Sequence, residues 1–171
     1  MPLTLYTFRR CPYAIRARWA LLITSHEFIW REINLKDKPK ELLHVSPNGT
    51  VPVLLIDPKN ILSESFDIIL WSTRKNIKYR LKDNELSKVK MIIEENDSLF
   101  KYYLDRYKYP SRYPDEDRFL NRQMAKEILI KWNSILTWNN YDNFSLLFSR
   151  ETIADWSLWP FVRQFRNIDK V

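Results

Sequence analysis

Residues 3–8 (LTLYTF) alternate apolar with polar-tolerant positions, the period of a half-buried strand. The next segment, 12–25 (PYAIRARWALLITS), changes period. A helical repeat gathers most of Ala14, Ile15, Ala17, Ala20, Leu21 and Leu22 on one side. Aromatic and β-branched residues dominate 27–35 (EFIWREINL), which reads as a second strand, and 38–49 (KPKELLHVSPNG) reads as a short helix and a turn. Segment 50–57 (TVPVLLID) is a strand with proline near its start, where a missing N–H is tolerated, and 60–62 (NIL) pairs with it across a DPKN turn. From Ser63, SESFDIILWSTRK opens on Ser/Glu/Ser and carries Phe66, Ile69 and Leu70 at helical spacing. The order β-α-β-α-β-β-α predicts a small α/β layer over residues 1–75.

A polar stretch, 76–84, reads as a linker. Beyond it the period is helical throughout. Segments 85–107 and 115–138 are separated by the proline-bearing KYPSRYPD, and a third helix occupies 152–165 (TIADWSLWPFVRQF). The expectation is therefore α/β plus all-α, with residues 85–171 wholly helical.

Composition narrows the classes. A hydrophobic content of 45% over 171 residues can fill a core. No stretch approaches the roughly 18 uninterrupted apolar residues of a membrane span, and MPLTLYTFRR lacks the zones of a signal peptide, so a cytoplasmic protein that does not enter membranes is expected. The net charge of +7 is spread among 21 acidic residues, which suits small anionic ligands and argues against nucleic acid. Glycine occurs once, at Gly49, which excludes a glycine-rich phosphate loop. His26 and His44 lie apart from every motif and receive no role.

Cysteine also occurs once, which excludes an internal disulfide. If the helix starts at Pro12, proline takes its favoured first-turn position and Cys11 sits at the helix N-terminus. There the unpaired N–H groups, the dipole and the charges of Arg9, Arg10, Arg16 and Arg18 favour an anion. Such surroundings lower a thiol pKa from about 8.5 into the range of roughly 3.5 to 7.5. A buried structural cysteine is the competing reading of a lone thiol, and the proline and arginines favour reactivity.

A strand leading into Cys-Pro-Tyr-X at a helix start is the glutaredoxin and thioredoxin-like pattern, and the strand and helix order is similar to that of the glutathione transferase N-terminal domain. CPYAIRAR, INLKDKP, GTVPVL, SES and TIADWSLWPFVRQF occur in this order. In sequence and spacing they resemble segments of the cysteine-type glutathione transferases, the omega class and its bacterial relatives. The resemblance implies a thioredoxin-like domain followed by a helical bundle. It implies that Cys11 is the nucleophile that forms a mixed disulfide with glutathione, with Tyr13 beside it. Val51 would offer its backbone to the cysteine portion of glutathione ahead of a cis bond to Pro52, Glu64 and Ser65 would bind the γ-glutamyl end, and Lys38 would reach the glycine end. The chemistry suits these types, because an ammonium and carboxylate at one end need both a carboxylate and donors, and the lone carboxylate at the other needs a cation. Read singly, Glu64 and Ser65 are also a plain helix cap and Lys38 one more solvated lysine. Thr152 and Asp155 are spaced as a capping box and resemble the family's folding signature.

Phe100, Tyr103, Tyr107, Trp156 and Trp159 are candidates to wall a pocket for a small electrophile or mixed-disulfide substrate, although such aromatics commonly form core. Position 14 is alanine where dithiol glutaredoxins have a second cysteine, so a second glutathione must release the adduct. Tyr6 lies near in sequence, with its strand parity open. The chain ends at RNIDKV just after the capping-box helix, where relatives continue through further helices, so an incomplete C-terminal part is expected. The function implied is glutathione-dependent thiol transfer, deglutathionylation or reduction, with weaker conjugation, by a homodimer using glutathione as co-substrate and no metal. The alternative is a non-enzymatic partner-binding protein of the stringent-starvation type, against which the joint presence of Cys11, Glu64 and Ser65 argues. A channel-like protein of the chloride-intracellular type is disfavoured by the polarity of RWALLITSHEFIW.

Overall fold

A computed structural model of the chain describes residues 2–79, 81–139, 144–147 and 150–170. It divides into two compact units, Met1–Arg80 and Leu81–Val171.

In the first unit, β1 (Thr4–Thr7) runs into α1 (Pro12–Ile23), followed by β2 (Ile29–Glu32), α2 (Lys40–Val45), the pair β3 (Val53–Asp57) and β4 (Asn60–Leu62), and α3 (Ser65–Thr73). The sheet order is β2-β1-β3-β4, with β1 parallel to β2 and antiparallel to β3. This is the thioredoxin-like order expected from the sequence. Strand β1 is buried along its whole length, which corrects the half-buried expectation. As a central strand it is covered on both faces. Leu5 joins Ala17, Leu21, Leu54 and Ile68 on the side of α1 and α3, and Tyr6 joins Ile33, Leu42 and Val53 on the side of α2. Strand parity thus places Tyr6 in the α2-side core. Each fully buried leucine or isoleucine contributes about 1.5–3 kcal/mol relative to exposure.

Helix α1 departs from its simple stripe. Leu22 is 52% exposed, whereas Arg16 is 1% exposed and Arg18 is also buried. The reason is polar pairing, described below. The helix ends in a left-handed turn at Ser25 (φ 58°), where the Ser25 N–H donates to the Leu22 carbonyl (3.0 Å) and the His26 N–H to that of Leu21 (2.9 Å). This is the Schellman arrangement with serine at the position glycine usually takes.

The stretch read as a linker holds a 3₁₀ turn, Ile77–Tyr79, whose Tyr79 is buried, and the start of α4 (Asp83–Glu95). In the second unit α4 continues through a π-helical stretch, Asn96–Phe100, into α5 (Lys101–Lys108), and α6 (Arg118–Ser134) and α7 (Ile153–Arg166) follow. Helix α5 packs on α6 and α4 on α7. The wholly helical expectation needs one correction. Helix α6 stops at Ser134, and β5 (Thr137–Asn139) pairs antiparallel with β6 (Phe144–Leu146). Aromatic and β-branched residues flank an Asn/Asp-rich stretch there, a hairpin signal that the helical period of 115–138 obscured. Among the described residues no helix is long and apolar enough to cross a membrane.

Candidate functional site

Cys11 is the N-cap of α1, with extended backbone (φ −78°, ψ 119°) and Pro12 in the first turn. Its N–H donates to the Phe8 carbonyl (3.0 Å) and its carbonyl accepts from Ile15 (2.9 Å), which fixes the turn from β1 into the helix. The half-buried thiol donates to the Val51 carbonyl at 3.6 Å. That bond favours the protonated sulfur, and the helix dipole and neighbouring cations favour the anion.

Val51 lies in the loop between α2 and β3, and the Val51–Pro52 bond is cis. The same loop contains Gly49 at φ +59°. A Cβ there would stand 2.7 Å from Lys38 Cδ and 2.9 Å from its Nζ, so the bare glycine lets the half-buried Lys38 lie across the loop. One loop therefore presents the Val51 carbonyl to the sulfur and, at Gly49, makes room for the side chain of Lys38, which comes from the β2–α2 connection.

Ser65 opens α3 with Glu64 as its exposed N-cap. The Ser65 side chain is buried, and its Oγ accepts from Arg16 Nε at 3.0 Å. With Oγ engaged as acceptor, the Ser65 hydroxyl keeps its own proton to donate. The Arg16 guanidinium also lies over the Tyr13 ring, 5.0 Å from its centroid. The structure thus links Cys11 with Val51, Tyr13 with Arg16 and Ser65, and Lys38 with Gly49, all within the first unit.

Arg18 is buried, donating from Nη1 to Thr7 Oγ1 (2.7 Å) and from Nη2 to the Arg9 carbonyl (3.2 Å), with its guanidinium 5.2 Å from the Trp30 ring centroid. Burial holds its pKa below the ordinary arginine value, against the opposing pull of Glu32 and Cys11. Sequence reasoning counted Arg16 and Arg18 only as sources of positive field. Their pairings had a signal: Arg18 falls on the stripe Ala14, Ala17, Leu21, where a charge is buried only if satisfied.

The five candidate aromatics lie in the second unit, and two of them, Phe100 and Tyr107, share Phe165 as a neighbour. Phe100 packs on Trp132 (5.0 Å) and Phe165 (6.1 Å). Tyr107 packs on Phe165 and donates its hydroxyl to Asp169, Trp156 donates to Glu151 (2.7 Å), and Tyr103 meets Tyr102 edge-on. Phe100, Tyr107 and Trp156 are buried in the core of this unit; Trp159 is partly exposed and lines a cavity of 720 Å³ with Trp132, Leu158 and Val162. The capping box forms as expected: the Thr152 N–H donates to Asp155 Oδ2 (2.8 Å) and the Ala154 N–H to Thr152 Oγ1 (3.3 Å). Asp155 Oδ1 also accepts from the Leu147 N–H (3.0 Å). Among the described residues no group of three or more His, Cys, Asp or Glu could hold a metal ion.

Residues 5–75 match the glutathione S-transferase N-terminal domain family. The whole fold is similar to a possible glutathione S-transferase from Rhodopseudomonas palustris (16% identity, TM-score 0.81), with 99% of this chain and 86% of that one covered. It is also similar to glutathione transferase Omega 3C from Trametes versicolor (15% identity, TM-score 0.80, 99% of this chain and 76% of that one). Omega 1C from the same fungus matches at 20% identity and a TM-score of 0.75, over 94% of this chain and 69% of its own. The chain therefore has the glutathione S-transferase fold, and its residues 5–75 carry the match to that family's N-terminal domain.

Proposed function

We propose that this protein is a glutathione transferase of the cysteine type, omega-like, in which Cys11 exchanges thiols through a mixed disulfide with glutathione. The observation that carries the reading is the seat of the sulfur: Cys11 caps α1 and touches the carbonyl of Val51, the backbone group assigned to the cysteine portion of glutathione. The match of residues 5–75 and the fold support it.

In this reading the Cys11 thiolate attacks the glutathione sulfur of a disulfide GS–SR. The new Cys11–SG bond forms, the old S–S bond breaks, and RS⁻ leaves and takes a proton from water. A glutathione thiolate then attacks the Cys11-bound glutathione sulfur, releasing oxidised glutathione and restoring the Cys11 thiolate. The net change exchanges one disulfide for another: GS–SR and one glutathione thiol give oxidised glutathione and RSH, and Cys11 is regenerated. The chain has no second cysteine to resolve the adduct, so the second glutathione is required.

Val51 and Pro52 form the wall beside the sulfur and Tyr13 flanks it. Glu64 holds the γ-glutamyl ammonium, the Ser65 hydroxyl donates to its carboxylate, and Lys38 pairs with the glycine carboxylate. The first unit is the glutathione-binding domain and residues from 85 onward form the helical domain. Tyr103 and Trp159, the partly exposed aromatics, are assigned to the second substrate, with Phe100, Tyr107 and Trp156 supporting them. The active form is a cytoplasmic homodimer that needs no metal.

The test is incubation with glutathione disulfide followed by intact mass measurement. One glutathione adduct is expected, absent in Cys11→Ala and removed by added glutathione. A binding-only protein of the same fold would show neither adduct nor turnover of a glutathione mixed disulfide, and that outcome rejects the proposal.

A further inference from the structure

We infer that Arg18 is a positioning residue for Cys11: its guanidinium fastens the turn that delivers the sulfur and supplies the buried positive charge beside it, with Glu32 as the opposing charge. This rests on the reading of Cys11 as the nucleophile.

The turn between β1 and α1 comprises residues 8–11, and its peptide groups are tied on several sides. The Arg9 carbonyl accepts from Arg18 Nη2 at 3.2 Å, and the Arg9 N–H donates to Glu32 Oε1 at 2.8 Å. Arg18 Nη1 reaches back to Thr7 Oγ1 at 2.7 Å, and the Cys11 N–H closes onto Phe8. Arg18 therefore holds the end of β1 and the Arg9–Arg10 peptide, while Glu32 on β2 holds the preceding Phe8–Arg9 peptide. The four arginines around Cys11 are thereby separated by role. Arg9 and Arg10 are exposed, so solvent screens them. Arg16 is committed to Ser65 and Tyr13. Arg18 is buried and interacts electrostatically with Cys11 and Glu32, and a charge held out of water acts more strongly on a neighbour than a screened one. The groups facing Arg18 are Thr7 on β1, the Arg9 carbonyl, Trp30 and Glu32 on β2, and Cys11 at the head of its own helix.

Because the chain has one cysteine, alkylation by iodoacetamide reports Cys11 alone. The rate would be measured against pH on the full chain for wild type, Arg18→Met, Arg18→Lys and Glu32→Gln, with near-ultraviolet circular dichroism to verify folding. Arg18→Met is expected to raise the midpoint by about one pH unit, so alkylation at a pH well below the wild-type midpoint slows about tenfold. Arg18→Lys keeps the charge and loses the two-point grip, and its midpoint falls between the two. Glu32→Gln keeps an acceptor for Arg9 and removes the opposing charge, so its midpoint moves down. A folded Arg18→Met with an unmoved midpoint overturns the inference. If Arg18→Met does not fold, unmoved midpoints in both Arg18→Lys and Glu32→Gln overturn it. A wild-type midpoint near the free-thiol value of about 8.5, raised further by Arg18→Met, removes the thiolate from the proposed function and leaves the role of Arg18 standing. A low wild-type midpoint that no variant moves does the reverse.

Discussion

Gly49 is the single glycine of the chain, and a side chain there would be strained and would push Lys38 aside. Its φ of +59° and the approach of Lys38 Cδ and Nζ to the site of a Cβ combine two penalties for alanine. Gly49→Ala is expected to lower unfolding free energy by about 1–2 kcal/mol in urea titration, and to displace Lys38. On the proposed function, the displacement raises KM for glutathione severalfold with kcat little changed; an unchanged KM would detach Lys38 from the substrate. At this scale the sequence was partly legible. The type and place of Cys11, Glu64 and Ser65 could be read from motifs because a helix N-terminus has local signals. That Arg16 spends its Nε on Ser65 could not, because the two residues meet only when α1 packs on α3.

Among elements, the ends of helices carry the clearest expectations. Serine occupies the left-handed residue after α1, a conformation that costs a residue with a Cβ roughly 1 kcal/mol and costs glycine nothing comparable. Ser25→Gly should therefore stabilise the protein by about 0.5–1 kcal/mol, read as a higher urea midpoint. At the start of α7 the direction is opposite. Asp155 accepts from Thr152 and Leu147, so Asp155→Ala opens the capping box and frees a loop N–H together. A loss of about 1–2 kcal/mol is expected in the same assay, and less than half of that would show that α7 is held by packing alone. The box was legible from spacing because its partners are three residues apart. The β5–β6 pair was hidden because aromatic and β-branched residues fit either period over so short a run. The complete burial of β1 was hidden too, since a central strand's second covered face is set by α2, far along the chain.

For the molecule as a whole, His26 is one group through which pH acts. Its ring lies tilted by 44° against Trp71 with centroids 4.9 Å apart, and its Nδ1 is hydrogen-bonded to Thr24 Oγ1 at 2.9 Å, whose own proton goes to the Ala20 carbonyl; burial, then the charge of Lys75, holds its pKa below the ordinary 6.5. The unfolded chain takes up this proton near the ordinary value and the folded chain only at lower pH. Its stabilising contribution is full above the ordinary value and is lost as pH falls through it toward the folded one. Urea unfolding at pH 7.5 and 5.5 should show a smaller acid loss in His26→Gln than in wild type, and equal losses would assign the acid sensitivity to other groups. The class of both units was legible, apart from the β5–β6 pair, because the shift from mixed strand and helix periods to helical period lies in the sequence itself. Arg9 is grasped at its N–H by Glu32 and at its carbonyl by Arg18, which restrains the two consecutive peptides on either side of its Cα. In heavy water the Arg9 amide should exchange its hydrogen slowly although the residue faces solvent, marking a rigid hinge post beside the sulfur before any ligand arrives.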